Sequence, residues 1–346
     1  MGLFFPRIKM LKIVCLSSLI LAAAIVGASD FHSQESNDTI KQLYHTINRN
    51  SKSGMAERLA FFSASFLGKP YLLGALGEGP DARFDQSPLS RTDAFDCETF
   101  VDTVLALALS ENQNTFPLCL NKVRYLNGKV SFLTRNHFTA LDWNQNNQRQ
   151  GFLKDITNAI KDENHHKVAK MAVAVIDKPS WYRHMSADRI KLFPSTTNQQ
   201  QQQTMRLLEL QNSGHSLPIV EEKIPYIPFT VLYDKQGNPN NFLFSQIPNA
   251  SIIEIIRPNW EVKKQIGTNL NVSHLGFAFW VNSELLFREA SSTEGKVVDV
   301  SLIDYLKQAR SSPTIKGINV QVIVPKKHLA ANCIAQAKAK ILTSKH

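Results

Sequence analysis

Apolar residues recur near every 3.6 positions in the first third of the chain and near every second position in the last third. Met55, Leu59, Phe62 and Phe66 keep helical spacing, and Gly68 and Pro70 then stop the run. Cys97, Phe100, Val101, Val104, Leu105 and Ala108 define one face of a second predicted helix. Asp96, a favoured N-cap type, stands at its head. Between the two lies "KPYLLGALGEGPDARFDQSP", a Gly/Pro-rich loop. Residues 194–216, with five glutamines at 199–203, read as a helix-plus-loop insertion. Further on, "FTVLYD", "SIIEIIR", "HLGFAFWV", "ELLFREAS" and "INVQVIVP" are short and rich in β-branched and aromatic residues, as strands are. Ser301 and Asp304 resemble a capping box ahead of "LIDYLKQA", and a last helix is expected over 328–342. Helices first and strands later predict an α+β fold with a largely antiparallel sheet.

The N-terminus has a different character. Arg7, Lys9 and Lys12 precede an apolar run from Ile13 to Val26, and Val26-Gly27-Ala28 supplies a small-residue cleavage pattern. This is the layout of a Sec-type signal peptide, and the run is shorter than the roughly 20 residues a membrane span needs. Residues 1–28 are therefore expected to be removed. That leaves a flexible lead-in over 29–50 and a single domain over 51–346, with an insertion around 120–245. Export implies a periplasmic or secreted protein with no stable membrane insertion. Losing Arg7, Lys9 and Lys12 lowers the net charge from +10 to about +7. The charges are dispersed and no nucleic-acid-binding motif is present, so nucleic acid is not an expected partner.

Cys15 leaves with the signal peptide. Cys97, Cys119 and Cys333 remain, an odd number for an oxidising compartment. A Cys119–Cys333 bridge is open, and Cys97 is the candidate free thiol. It falls in the first turn of its helix, where unpaired N–H groups and the dipole favour a thiolate and could hold an oxyanion. A lowered thiol pKa is expected. The plainer reading is a small core residue on an apolar stripe.

A cysteine nucleophile needs a base. Six of the ten histidines lie in polar or terminal stretches and His184 and His328 have no supporting context, which leaves His137 and His274. His274 opens "HLGFAFWV". Gly276 and Ala278 share its face, and Leu275, Phe277, Phe279 and Val281 take the other. The small-residue face is expected to receive the helix. If Asn282-Ser283 is a two-residue turn, Val281 pairs with Glu284 and Gly276 faces Glu289. Glu289 then stands diagonally beside His274 and can orient its ring. A three-residue turn would reverse this.

Four motifs in order, "KPYLLGA", "FDCETFV", "SHLGFAFW" and "FREASS", resemble the NlpC-type, papain-like cell-wall hydrolases. "TRNHFTALDW", "KIPYIP" and the long insertion between Cys97 and His274 are similar to the N-acetylmuramoyl-L-alanine amidase-like branch, first catalogued as a domain of unknown function. The resemblance spans roughly residues 55–325 and implies a papain-like fold. It also implies that Cys97 is the nucleophile, His274 the base, Glu289 the orienting third residue and Tyr71 an oxyanion donor. Relatives commonly carry histidine or another neutral polar residue at the position of Glu289. Arg135, Asn136, His137, Asp142 and Trp143 fall in a family-like segment that is expected to shape the substrate cleft. There Trp143 would face a sugar ring and Arg135 a carboxylate. The plainer reading puts Trp143 in the core, pairs Arg135 with an acid and makes His137 structural.

The implied reaction is hydrolysis of the amide between N-acetylmuramic acid and L-alanine, in peptidoglycan or muropeptides, with no cofactor and no metal. "HExxH" and "GxSxG" are absent, and His165-His166 is a poor zinc signature. Rival readings are a γ-D-glutamyl endopeptidase of the stem peptide and a non-catalytic envelope-binding module. A lipid acyltransferase is disfavoured, because papain-like acyltransferases of that kind tend to place histidine before cysteine.

Overall fold

The computed structural model describes residues 34–49, 53–193, 198–324 and Cys333. The signal peptide expected over 1–28 lies outside the described residues, as does all but Cys333 of the helix expected over 328–342.

Helix α1 covers 34–48 and α2 covers Met55–Ala64. The first departs from the flexible lead-in expected there. Ile40, Leu43, Tyr44 and Ile47 fall at i, i+3, i+4 and i+7, and three of them are buried in one cluster with Leu59 and Phe62. The Tyr44 hydroxyl donates to the Leu107 carbonyl at 3.0 Å. The exposed Lys41, Gln42, His45, Thr46 and Asn48 are interleaved with the stripe and concealed it.

Helix α3 (Cys97–Leu109) is the centre of the molecule, and every residue from Thr99 onward in it is buried. A helix apolar on all sides needs cover on all sides. Helices α2 and α4 (Phe116–Arg124) supply part of it, and the sheet supplies the rest. A disulfide between Cys119 of α4 and Cys333 spans 214 residues of sequence, and Cys97 is the free cysteine among the described residues.

The sheet is antiparallel throughout. Its strands are β1 (Leu153–Asp155), β2 (Lys170–Asp177), β3 (Ile219–Pro228), β4 (Ser251–Trp260), β5 (Leu270–Val281), β6 (Glu284–Ser291), β7 (Lys296–Ser301) and β8 (Gly317–Ile323). Their spatial order is β2-β3-β8-β4-β5-β6-β7, with β1 also on β8. The mixed α+β architecture agrees with the sequence reading, but one strand does not. "FTVLYD" was expected to be extended, whereas the strand precedes it and Phe229–Leu232 turns helical, burying Phe229 and Leu232 at i and i+3. The long helix α5 (Gln199–His215) is the insertion legible in the glutamine run, and only Leu210 and Gly214 in it are buried.

Each sheet face carries its own core. Leu275, Phe277 and Phe279 pack toward α3, with Phe277 5.9 Å from the Phe100 ring. Ile253, Ile255, Ala278 and Phe287 pack on the opposite face with Leu302 and Leu306 of α6 (Leu302–Ala309). This corrects the expectation that α3 docks on the small-residue face of β5. A Cβ on Gly276 would meet the Arg288 carbonyl at 2.6 Å and the Phe287 ring at 2.8 Å. The missing side chain makes room for Phe287, not for a helix.

Candidate active site

Asp96 closes the N-terminus of α3. Its Oδ1 accepts the Thr99 N–H at 2.8 Å, and its Oδ2 accepts the Gly74 N–H at 2.8 Å, so one carboxylate caps the helix and pins the Gly-rich loop. Backbone bonds from Tyr71 N–H to Gly295 (2.8 Å) and from Leu72 N–H to Phe95 (2.9 Å) thread this loop between the start of β7 and the start of α3. Tyr71 is thereby held next to Cys97.

The β5–β6 hairpin takes the expected register. Asn282 and Ser283 have φ of 49° and 69°, and Val281 pairs with Glu284 and Phe277 with Arg288. No ladder joins the two strands beyond Phe277–Arg288. Across this opening His274 Nε2 hydrogen-bonds the buried Glu289 Oε2, which leaves Nδ1 for another partner. The backbone N–H groups of Leu275, the residue after His274, and of Glu98 act on the Cys97 thiol. Tyr71 and the backbone of Leu275 thus act on Cys97, while His274, the residue before Leu275, holds Glu289.

Tyr305 of α6 completes the cluster, and no motif in the sequence signalled it. Its ring lies 6.4 Å from the His274 ring and 5.1 Å from Phe287, and both Cys97 and Glu289 act on its hydroxyl. Only its place beside the buried Leu302 and Leu306 hinted that it faces inward.

The expected lowering of the Cys97 pKa is not found. Burial, then the Asp96 and Glu98 carboxylates, push the thiol up, and the two N–H groups offset this only in part. Burial, with Cys97 and Asp96 beside it, raises Tyr71 to about 12, so its hydroxyl is a neutral donor. Glu98 is held well above the usual carboxyl range by burial and by Asp102 and Asp96.

The "RNHFTALDW" segment is built into the protein. Trp143 is 0% exposed, and its Nε1 donates to Asp102 Oδ1 at 2.7 Å. Asp102 in turn pairs with Arg124 at 3.3 Å. Arg135 holds Glu78 at 2.5 Å and Asp85 at 2.9 Å. Asn136 donates to the Val123 carbonyl at 3.0 Å, and Asp142 pairs with Lys178 at 2.6 Å. His137 stacks between Phe132 and Trp181, 4.7 Å from each, with Nε2 2.7 Å from the Phe132 carbonyl. The expectation of cleft-facing side chains is met here by internal partners, and Trp143 offers no face to a ligand. Among the described residues, no group of three His, Cys, Asp or Glu side chains is arranged to hold a metal ion.

A crystal structure of a Legionella pneumophila protein, catalogued under a domain of unknown function, superimposes with a TM-score of 0.82. It is 54% identical, over 86% of this chain and 98% of that one. A Bacteroides uniformis N-acetylmuramoyl-L-alanine amidase is similar at a TM-score of 0.55 and 25% identity, over 78% of this chain and 99% of that one. No curated protein matches. The model of the AmiA-like family, described as N-acetylmuramoyl-L-alanine amidase-like, matches residues 61–315, and the chain belongs to that family.

Proposed function

We propose that this protein is an exported, papain-like cysteine amidase of the NlpC type. Its substrate is the amide joining the lactyl group of N-acetylmuramic acid to the L-alanine of the stem peptide, in peptidoglycan or soluble muropeptides. The observation that carries this reading is the His274–Glu289 hydrogen bond, which leaves Nδ1 open, with the backbone of the next residue, Leu275, acting on the Cys97 thiol.

At rest the thiol keeps its proton. His274 takes that proton as the sulfur bonds to the amide carbon, and the Glu289 carboxylate stabilises the imidazolium. Charge gathers on the carbonyl oxygen, where the neutral Tyr71 hydroxyl donates. The C–N bond then breaks and the alanine nitrogen takes the proton from His274. The peptide departs, leaving a muramoyl thioester on Cys97. Water, giving a proton to His274, hydrolyses the thioester, and the proton returns to the sulfur.

Cys97→Ala and His274→Ala should each abolish turnover while the melting transition persists, and the double variant should be no worse than either. Mass analysis of a digested muropeptide should find a free alanine amine and a free lactyl carboxylate. Alanine retained on muramic acid, with a cut after D-glutamate, would instead assign a γ-D-glutamyl endopeptidase. Losses that multiply in the double variant would separate the two residues mechanistically.

A further inference from the structure

Arg257 on β4 stands apart from the other arginines around the site. Ile255, two residues before it, pairs with His274, and Ile253 and Ile255 lie on the sheet face that packs on α6; past a break in the β4–β5 register Arg257 follows by alternation, and Tyr305 of α6 acts on it. The guanidinium lies over the Trp260 ring at 4.3 Å. Its Nε is shielded from solvent and meets no acceptor. Among the described residues, no carboxylate pairs with it, whereas Arg124, Arg135 and Arg288 each hold an acid. The group acting on it is Tyr305, the same ring that lies against His274.

A half-buried cation with an unmet donor is costly, and its fork matches a carboxylate in two-point geometry. In the amidase reading, on which this inference rests, His274 protonates the departing alanine. The amine side of the substrate therefore lies on the histidine side of the cleft, where Arg257 stands. Two residues of strand span roughly 6–7 Å, about the distance from the alanine nitrogen to the free α-carboxylate of the γ-linked D-glutamate that follows it. We propose that Arg257, held flat on Trp260, binds that carboxylate and makes the enzyme selective for stem peptides in which it is not amidated.

The test uses two muramoyl tripeptides that differ only in acid or amide at this carboxyl. The intact protein should cleave the acid form about 10–100-fold faster in kcat/KM, the range of one charge-assisted hydrogen bond. Arg257→Met should remove that preference by slowing the acid form alone, and Arg257→Lys should restore part of it. Equal losses on both substrates, or a preference that survives in Arg257→Met, would overturn the proposal. A second measurement needs no turnover. The released tripeptide should bind Cys97→Ala more tightly in acid than in amide form, and the double variant Cys97→Ala/Arg257→Met should bind both alike. Failure of the wild type to cut the muramoyl amide, with the binding preference intact, would count against the bond assignment and not against Arg257. Equal binding of both forms by Cys97→Ala would count against Arg257.

Discussion

Arg135 and Arg257 are both half-buried guanidinium groups near the cleft, each stacked on an aromatic ring, and the protein treats them in opposite ways. Arg135 lies over Phe132 at 4.8 Å and is locked by Glu78 and Asp85, with its side chain only 17% exposed. Arg257 has the ring and lacks the acids. Residue types suited to a ligand are equally suited to holding a wall together. What separates the two uses is whether the hydrogen-bonding capacity has already been taken up inside the protein.

The strongest way to break this contrast is Arg135→Ala. It would strand two buried carboxylates, and a loss of about 3–5 kcal/mol is expected in chemical denaturation. Below the lowered melting point, kcat/KM should remain within about threefold of wild type, a difference of roughly 0.7 kcal/mol. A variant of normal stability that loses turnover would return the segment to substrate binding.

Glu254 sharpens the same point from beneath that wall. Asn144 donates to its Oε2 at 3.1 Å, while Glu254 Oε1 and Asn144 Oδ1 are both buried without partners. Burial raises this carboxyl from the usual 4.5 to about 8. The native state then keeps a proton that the unfolded chain gives up above about pH 4.5. The stability it contributes is full below that pH and is lost as pH rises through about 8. Glu254→Gln cannot titrate, so its melting temperature relative to wild type should climb between pH 5 and 8, by the equivalent of about 3–4 kcal/mol. Asp102, raised to about 6, does not act on Glu254 and cancels in the difference; Glu222, raised to about 7, does act on it, so the comparison is repeated in a Glu222→Gln background. A flat difference across that range would mean that Glu254 is ionised in the fold.

The smallest effect is expected at the other wall. Tyr305→Phe keeps the ring against His274 and removes the hydroxyl near Arg257. A two- to tenfold fall in kcat/KM on the acid tripeptide should follow, within the roughly 0.5–1.5 kcal/mol of one neutral hydrogen bond. An unchanged value would confine Tyr305 to packing.

Local rules carried the sequence reading a long way. The Asp96 cap, the face of α3, the Ser301 cap and the two-residue hairpin that brings Glu289 to His274 all depend on residues within a few positions of one another. The failures depend on distance. Arg135 meets its acids some fifty residues earlier in the chain, and Tyr305 reaches His274 from a helix two strands further on. The thiol was expected to follow the helix dipole, but burial and the carboxylates on either side of it outweigh that field. Helix α1 was legible in Ile40, Leu43, Tyr44 and Ile47, and its polar surroundings drew attention from them.

The disulfide bears on how the protein is handled at the bench. The proposed cysteine mechanism calls for a thiol reductant in the assay to keep Cys97 from oxidising, and the same reagent can open the Cys119–Cys333 clasp behind the helix that carries it. Closing a loop this long is worth about 2–5 kcal/mol in the unfolded-chain account. Activity against reductant concentration should therefore rise and then fall, and chain produced in a reducing cytosol should behave like the falling limb from the start.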